Sequence, residues 1–176
     1  PSPQPVTVAS FTAVTASPTN AASLTYTLTF SESITGVASA DFSNSGTATG
    51  CSYAPGDDTG LSRTVTITGC SAGTVIPVFA VGGAEDLAGN TGPASAATGA
   101  TITRDTTAPT VSSFTAVTAS PTNAASLTYT LTFSESVTGV AAGDFSNTGT
   151  ATGCAFAPGA DTGATLTLGG AIGGTG

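Results

Sequence analysis

The sequence predicts an all-β chain of tandem antiparallel β-sandwiches, the second of them incomplete. Three observations carry this: a long internal repeat, apolar residues alternating with a period of two, and clusters of Gly, Pro, Asn and Asp at short intervals.

The repeat comes first. The stretch from Phe11 to Gly60 returns 103 residues later, from Phe114 to Gly163, with seven of fifty positions changed. The changes are mild: Ile34/Val137, Ser39/Ala142, Ala40/Gly143, Ser45/Thr148, Ser52/Ala155, Tyr53/Phe156 and Asp57/Ala160. A period of this length suits self-contained modules better than a solenoid of short units. The expected domains are residues 1–104 and 105–176. After Gly163 the two copies part, and residues 164–176 stand where the first copy has its fifth, sixth and seventh strands. The second module therefore reads as truncated, or as completed by another chain.

The strands follow in order. PVTVASFTAV near the start is the first. Leu24, Tyr26, Leu28 and Phe30 alternate with Ser23, Thr25, Thr27 and Thr29, the pattern of a strand with one buried and one hydroxyl-lined face. Val65 and Ile67 alternate in the same way with Thr64, Thr66 and Thr68. TVIPVFAV, residues 74–81, is apolar on both parities and reads as a central strand, with Pro77 at an unpaired or bulged position. GATITRD at 99–105 closes the set. Seven or so short strands in about a hundred residues point to a sandwich. No segment fits a helical period.

Composition narrows function. With Lys+Arg 2 against Asp+Glu 10 the formal charge is -8, which repels phosphate backbones and anionic lipid and excludes nucleic-acid binding. No apolar run approaches the roughly 20 residues that cross a bilayer, so membrane insertion is not expected. His 0 removes the commonest general base and metal-binding imidazole, and the only cations are Arg63 and Arg104. The chain reads as non-enzymatic. The chain opens at Pro1 with no signal-type segment, so its compartment is read from cysteines and composition.

LTFSESITGV, ADF, EDLAGN and DTTAP, in that order and spacing, resemble the bacterial Ig-like domains arrayed in large surface adhesins and extracellular repeat proteins. The resemblance implies Ig-like sandwiches, a spacer role at the cell surface, and calcium at module junctions. With Ig topology, Glu32 and the group Glu85, Asp86 and Asn90 fall at one pole of the first module. Asp105 is expected beside Glu135, the second copy of Glu32. Converging carboxylates and carbonyls are hard oxygen ligands suited to Ca²⁺. The alternative is that Asp and Asn simply fill turns. Neither module holds the whole ligand set, because Ser2 stands at the first module's counterpart of Asp105 and the second module has no EDLAGN.

Two further signals compete with plain readings. Asp58-Thr59-Gly60 and Asp161-Thr162-Gly163 spell the D-T-G of a two-lobed aspartic protease, a remote alternative, since the unit's duplication and ordinary turn chemistry explain both. Cys51 and Cys70 flank an expected hairpin and could pair as a disulfide, which implies export. Two reduced, buried cysteines are the alternative, and zinc is a weaker rival. Cys154 repeats Cys51, but Gly173 stands where its partner would be, so Cys154 is free, or pairs with another chain, or belongs to a longer protein. The expected role is a structural segment of an extracellular filament or adhesin stalk, self-associating by strand complementation. The alternatives are a passive calcium-stiffened spacer or an adhesive tip, the latter weakest with Trp 0 and aromatics at 6%.

Overall fold

The computed structural model describes residues 4–57, 60–160 and 163–172. The chain divides into two compact units, Pro1–Thr106 and Thr107–Gly176.

In the first unit the described strands are β1 (Val8–Ala13), β2 (Ser23–Phe30), β3 (Ile34–Thr35), β4 (Phe42–Asn44), β5 (Ser52–Pro55) and β6 (Ser62–Thr68). They continue with β7 (Gly73–Val75), β8 (Pro77–Phe79), β9 (Ala84–Asp86), β10 (Thr91–Gly92), β11 (Ala97–Thr98) and β12 (Ile102–Arg104). One sheet has the order β1-β2-β6-β5, antiparallel throughout. In the other layer β8 pairs with β4 on one side and β11 on the other, while β7 pairs with β12. β7 and β8 are one strand interrupted at Ile76, so the layer reads β4, then β7 with β8, then β11 with β12. These are the ABED and CFG sheets of a constant-type immunoglobulin sandwich. A small three-stranded sheet, β10-β9-β3, is added at one end.

The period-two pattern explains the first sheet. Leu24, Tyr26, Leu28 and Phe30 are buried, as are Val65 and Ile67, while the threonines between them face outward. Each such apolar side chain contributes on the order of 1.5–3 kcal/mol on burial. The expected central strand is central, with neighbours on both edges. The break falls at Ile76, whose N–H donates to Asn44 Oδ1 at 2.7 Å, and Pro77, expected to be unpaired or bulged, instead opens β8 in register with Asn44, its carbonyl accepting the Gly99 N–H.

In the second unit the described strands are β13 (Val111–Ala116), β14 (Ser126–Phe133), β15 (Ala155–Pro158) and β16 (Thr165–Ala171), in the order β13-β14-β16-β15. This corrects one expectation. Residues 164–176 do not replace the fifth strand, because Thr165–Ala171 forms it: Leu131 faces Leu166 as Leu28 faces Arg63, and Tyr129 faces Leu168 as Tyr26 faces Val65. The alternation Leu166, Leu168 against Thr165, Thr167 keeps the strand pattern although the residues differ from those of the first copy. Among the described residues of this unit, no strand corresponds to β7, β8, β11 or β12, and residues 145–147 form no strand where the first unit has β4.

Candidate functional site

Within the first unit the sequence-predicted acidic positions fall at both ends. At one end of the first unit, β3 pairs with β9, Ile34 opposite Asp86 and Thr35 opposite Glu85, so the Glu32 loop and the EDLAGN loop do meet. Asp86 is the centre of that turn. Its Oδ1 accepts the N–H groups of Ala88 and Asn90, each at 2.8 Å, and its Oδ2 accepts the Asn90 side-chain amide at 2.7 Å. The Asn90 side-chain donor and the surrounding backbone N–H groups hold its carboxyl below the ordinary carboxylate range. D-x-A-G-N is thus a self-satisfied turn, with Gly89 at φ +88 supplying the left-handed residue.

Asp105 lies at the opposite end of the same unit, where its N–H donates to Thr19 O at 2.9 Å. Glu135 belongs to the second unit and is half-buried there. Among the described residues, no group of three or more His, Cys, Asp or Glu side chains is placed to hold a metal ion. The D-T-G positions Asp58, Thr59, Asp161 and Thr162 lie outside the described residues.

Cys51 and Cys70 form a disulfide at the open end of the β5–β6 hairpin, where Ser52 pairs with Thr68. Cys154 is a free cysteine, half-buried.

The site that alternation alone does not reveal is the inner face of the second unit's sheet. In the first unit Phe11 is 7% exposed; its copy Phe114 is 53% exposed, with Val111 at 57% beside it. The exposed strip runs along β13 and the adjoining part of β14. Leu131, Leu166 and Leu168 on the same face remain buried.

Two hollows mark the strip. One, of about 350 Å³, is walled by Val111, Phe114, Leu131, Phe133 and Phe145. Two of their copies in the first unit, Phe30 and Phe42, pack on Phe79, whose ring lies 5.5 Å from Phe30 and 5.1 Å from Phe42. The other, of about 90 Å³, is lined by Leu127, Tyr129, Asn147, Cys154, Phe156 and Gly170 among others. Gly170 faces Leu127 as Ile67 faces Leu24, so a side chain present in the first unit is missing here.

The uncovered face keeps the geometry of the covered one. The Phe114–Tyr129 ring centroids are 5.6 Å apart at 65°, against 5.7 Å and 68° for Phe11–Tyr26. Phe114–Phe145 is 6.3 Å against 6.2 Å for Phe11–Phe42. Asn147 still donates to Ala151 O at 2.7 Å, as Asn44 does to Ala48 O.

Sequence reasoning missed the two arginines. Arg63, 1% exposed, donates to Ile34 O at 2.6 Å and to the carbonyls of Gly60 and Ser62, tying the β6 end to β3. Arg104 donates to Ala21 O and Cys70 O. The only signal available was their rarity.

No protein-family model and no curated protein matches the chain. Among solved structures, FdeC, described as a broadly conserved Escherichia coli adhesin, is similar at a TM-score of 0.43 and 16% identity, over 95% of this chain and 57% of that one. The sandwich topology stands on the strand pairings above, independently of that likeness.

Proposed function

We propose that the chain is a non-enzymatic structural repeat segment of an extracellular filament or cell-surface adhesin stalk, and that its modules associate through sheet complementation. The observation that supports this most is the recurrence of one sheet design. The same ABED strand order is built twice, three of its four strands from nearly the same sequence, which is the pattern of modules laid in series. The disulfide supports an oxidising compartment. The hydroxyl-rich, cation-poor surface suits a spacer and offers no site for phosphate or acidic partners.

Electron microscopy and light scattering over a concentration series test this. Rods or polymers that lengthen with concentration are expected. Compact particles of one size at every concentration overturn the assembly reading. The calcium-stiffened spacer is distinguished by a rise in melting temperature on adding calcium that Asp105→Ala abolishes.

A further inference from the structure

We infer that the Arg104–Asp105 peptide bond is a cleavage site for arginine-specific proteases that the Cys51–Cys70 disulfide keeps closed, so that reduction of this disulfide by a dithiol allows the two units to be cut apart.

The inference starts from the scarcity of cationic side chains. Arg63 and Arg104 are the only ones in the sequence, so a protease that requires Lys or Arg has only their two peptide bonds to attack. The two are guarded differently. Arg63 is 1% exposed on β6, which has β2 on one side and β5 on the other, and its guanidinium lies on the carbonyls of Ile34, Gly60 and Ser62. Reaching it requires opening the sheet. Arg104 instead ends β12, beside the boundary between the units, and residues 105–110 after it are exposed and belong to no strand. Half of an extended recognition segment is therefore already accessible.

The other half is withheld by contacts that converge on Cys70. The Arg104 backbone pairs with Gly73 of β7 on one side and bridges Thr19 on the other, where the Thr19 N–H donates to Thr103 O and the Asp105 N–H to Thr19 O. The side chain that a protease pocket would take is engaged as well: Nε donates to Ala21 O at 2.9 Å and Nη1 to Cys70 O at 2.7 Å. Cys70 is bonded to Cys51 at the end of the β5–β6 hairpin and leads directly into β7. The disulfide thus anchors the segment that holds both the guanidinium and the backbone of Arg104, and breaking it loosens both holds together.

A reductant has a way in. Cys51 lines an open hollow of about 710 Å³ together with Phe42, Asn44, Ala48 and Tyr53. A thiolate of the dithiol attacks the disulfide to give a mixed disulfide, and the second thiol of the dithiol resolves it; the dithiol leaves as a disulfide, and Cys51 and Cys70 become thiols. The protease step is hydrolysis. Water adds its oxygen to the Arg104 carbonyl carbon as the C–N bond breaks, leaving a carboxylate on Arg104 and an ammonium on Asp105.

The test gives trypsin to the intact native chain, either oxidised or reduced with dithiothreitol and desalted under nitrogen. Mass spectrometry follows each cut, and each rate is divided by that of the same bond in a short peptide of the same sequence. Both bonds should resist in the oxidised chain. Reduction should raise cleavage after Arg104 about 100-fold, the gain in open population expected on releasing a loop of this length, and raise cleavage after Arg63 at least about tenfold less. The double variant Cys51→Ser/Cys70→Ser should be cut after Arg104 at the reduced rate with no dithiol present, which separates the effect from Cys154. Comparable acceleration at Arg63 and Arg104 overturns the inference, because the disulfide then only stabilises the unit as a whole. So does an oxidised chain already cut after Arg104, or a reduced chain or double variant in which that bond stays closed.

Discussion

Phe42 and Phe79 sit opposite one another across the β4–β8 pair, ring centroids 5.1 Å apart, and Phe145, the copy of Phe42, keeps only the contacts with Phe114 and Phe156 that match Phe11 and Tyr53. The Phe79 ring, which also packs on Phe30, thus supplies two aromatic contacts found in the first unit and not among the described residues of the second. Phe79→Ala should cost the first unit about 3–5 kcal/mol, the range for emptying a buried phenylalanine site. Calorimetry should show the first unit's transition shift downward while the second unit's does not move. A common shift of both transitions would contradict independent cores.

Tyr53 provides a test in the opposite direction. Its hydroxyl is buried with no hydrogen-bond partner, and burial raises its pKa. The second module carries Phe156 at the same place. Tyr53→Phe should therefore stabilise the first unit, by about 1 kcal/mol, since an unsatisfied buried donor is a net cost. Loss of stability would show that the hydroxyl has a partner.

The disulfide closes a short loop, its cysteines 19 residues apart. Replacing both with Ser should lower stability by about 3 kcal/mol on the chain-entropy model. Urea titration of the double variant measures this. A change well under 1 kcal/mol would mean that the hairpin is held by β5–β6 pairing alone.

Acid and alkali should act on different groups. Asp86 has its carboxyl held below the ordinary 3.8, so its contribution is present above that pH and is lost as pH falls below it. Tyr26 is pushed up to about 12, by burial first and by neighbouring Tyr53 second. Its neutral form is the folded one, so its contribution is full below about 10 and is lost between there and about 12. The melting temperature should plateau between these limits. In the alkaline limb, ultraviolet phenolate absorbance should appear together with unfolding, and ionisation of Tyr26 in the still-folded protein would refute this.

Asp86→Ala should lower the melting temperature by the same amount in millimolar calcium and in chelator, because N–H donors occupy its oxygens. A loss confined to the calcium-loaded sample would make Asp86 a ligand and not a turn residue.

Much of the fold was legible because alternation at Leu24–Phe30 and Val65–Ile67 states which face is buried, and TVIPVFAV states that both are. The Cys51–Cys70 pairing was legible as one of several readings from its hairpin. The strand at Thr165–Ala171 was hidden because the comparison between copies relied on residue identity, whereas register depends only on pattern. Arg63 was not legible: its value lies in carbonyls of Ile34, Gly60 and Ser62 converging in space. The open face was visible only as an absence of later strands, and which of its residues stay covered depends on packing that no linear pattern encodes.

The repeat also poses a folding problem. β1 and β13, β2 and β14 are near-copies, so in a chain refolding from denaturant each strand meets two partners of almost the same pattern. Misassembly between repeats is a characteristic failure of such chains. Ribosomal synthesis eases the choice by timing, because at about 5–20 residues per second β1 and β2 emerge together before β13 has been made. The order of synthesis, and not only the energy of the final contacts, then favours pairing within each module.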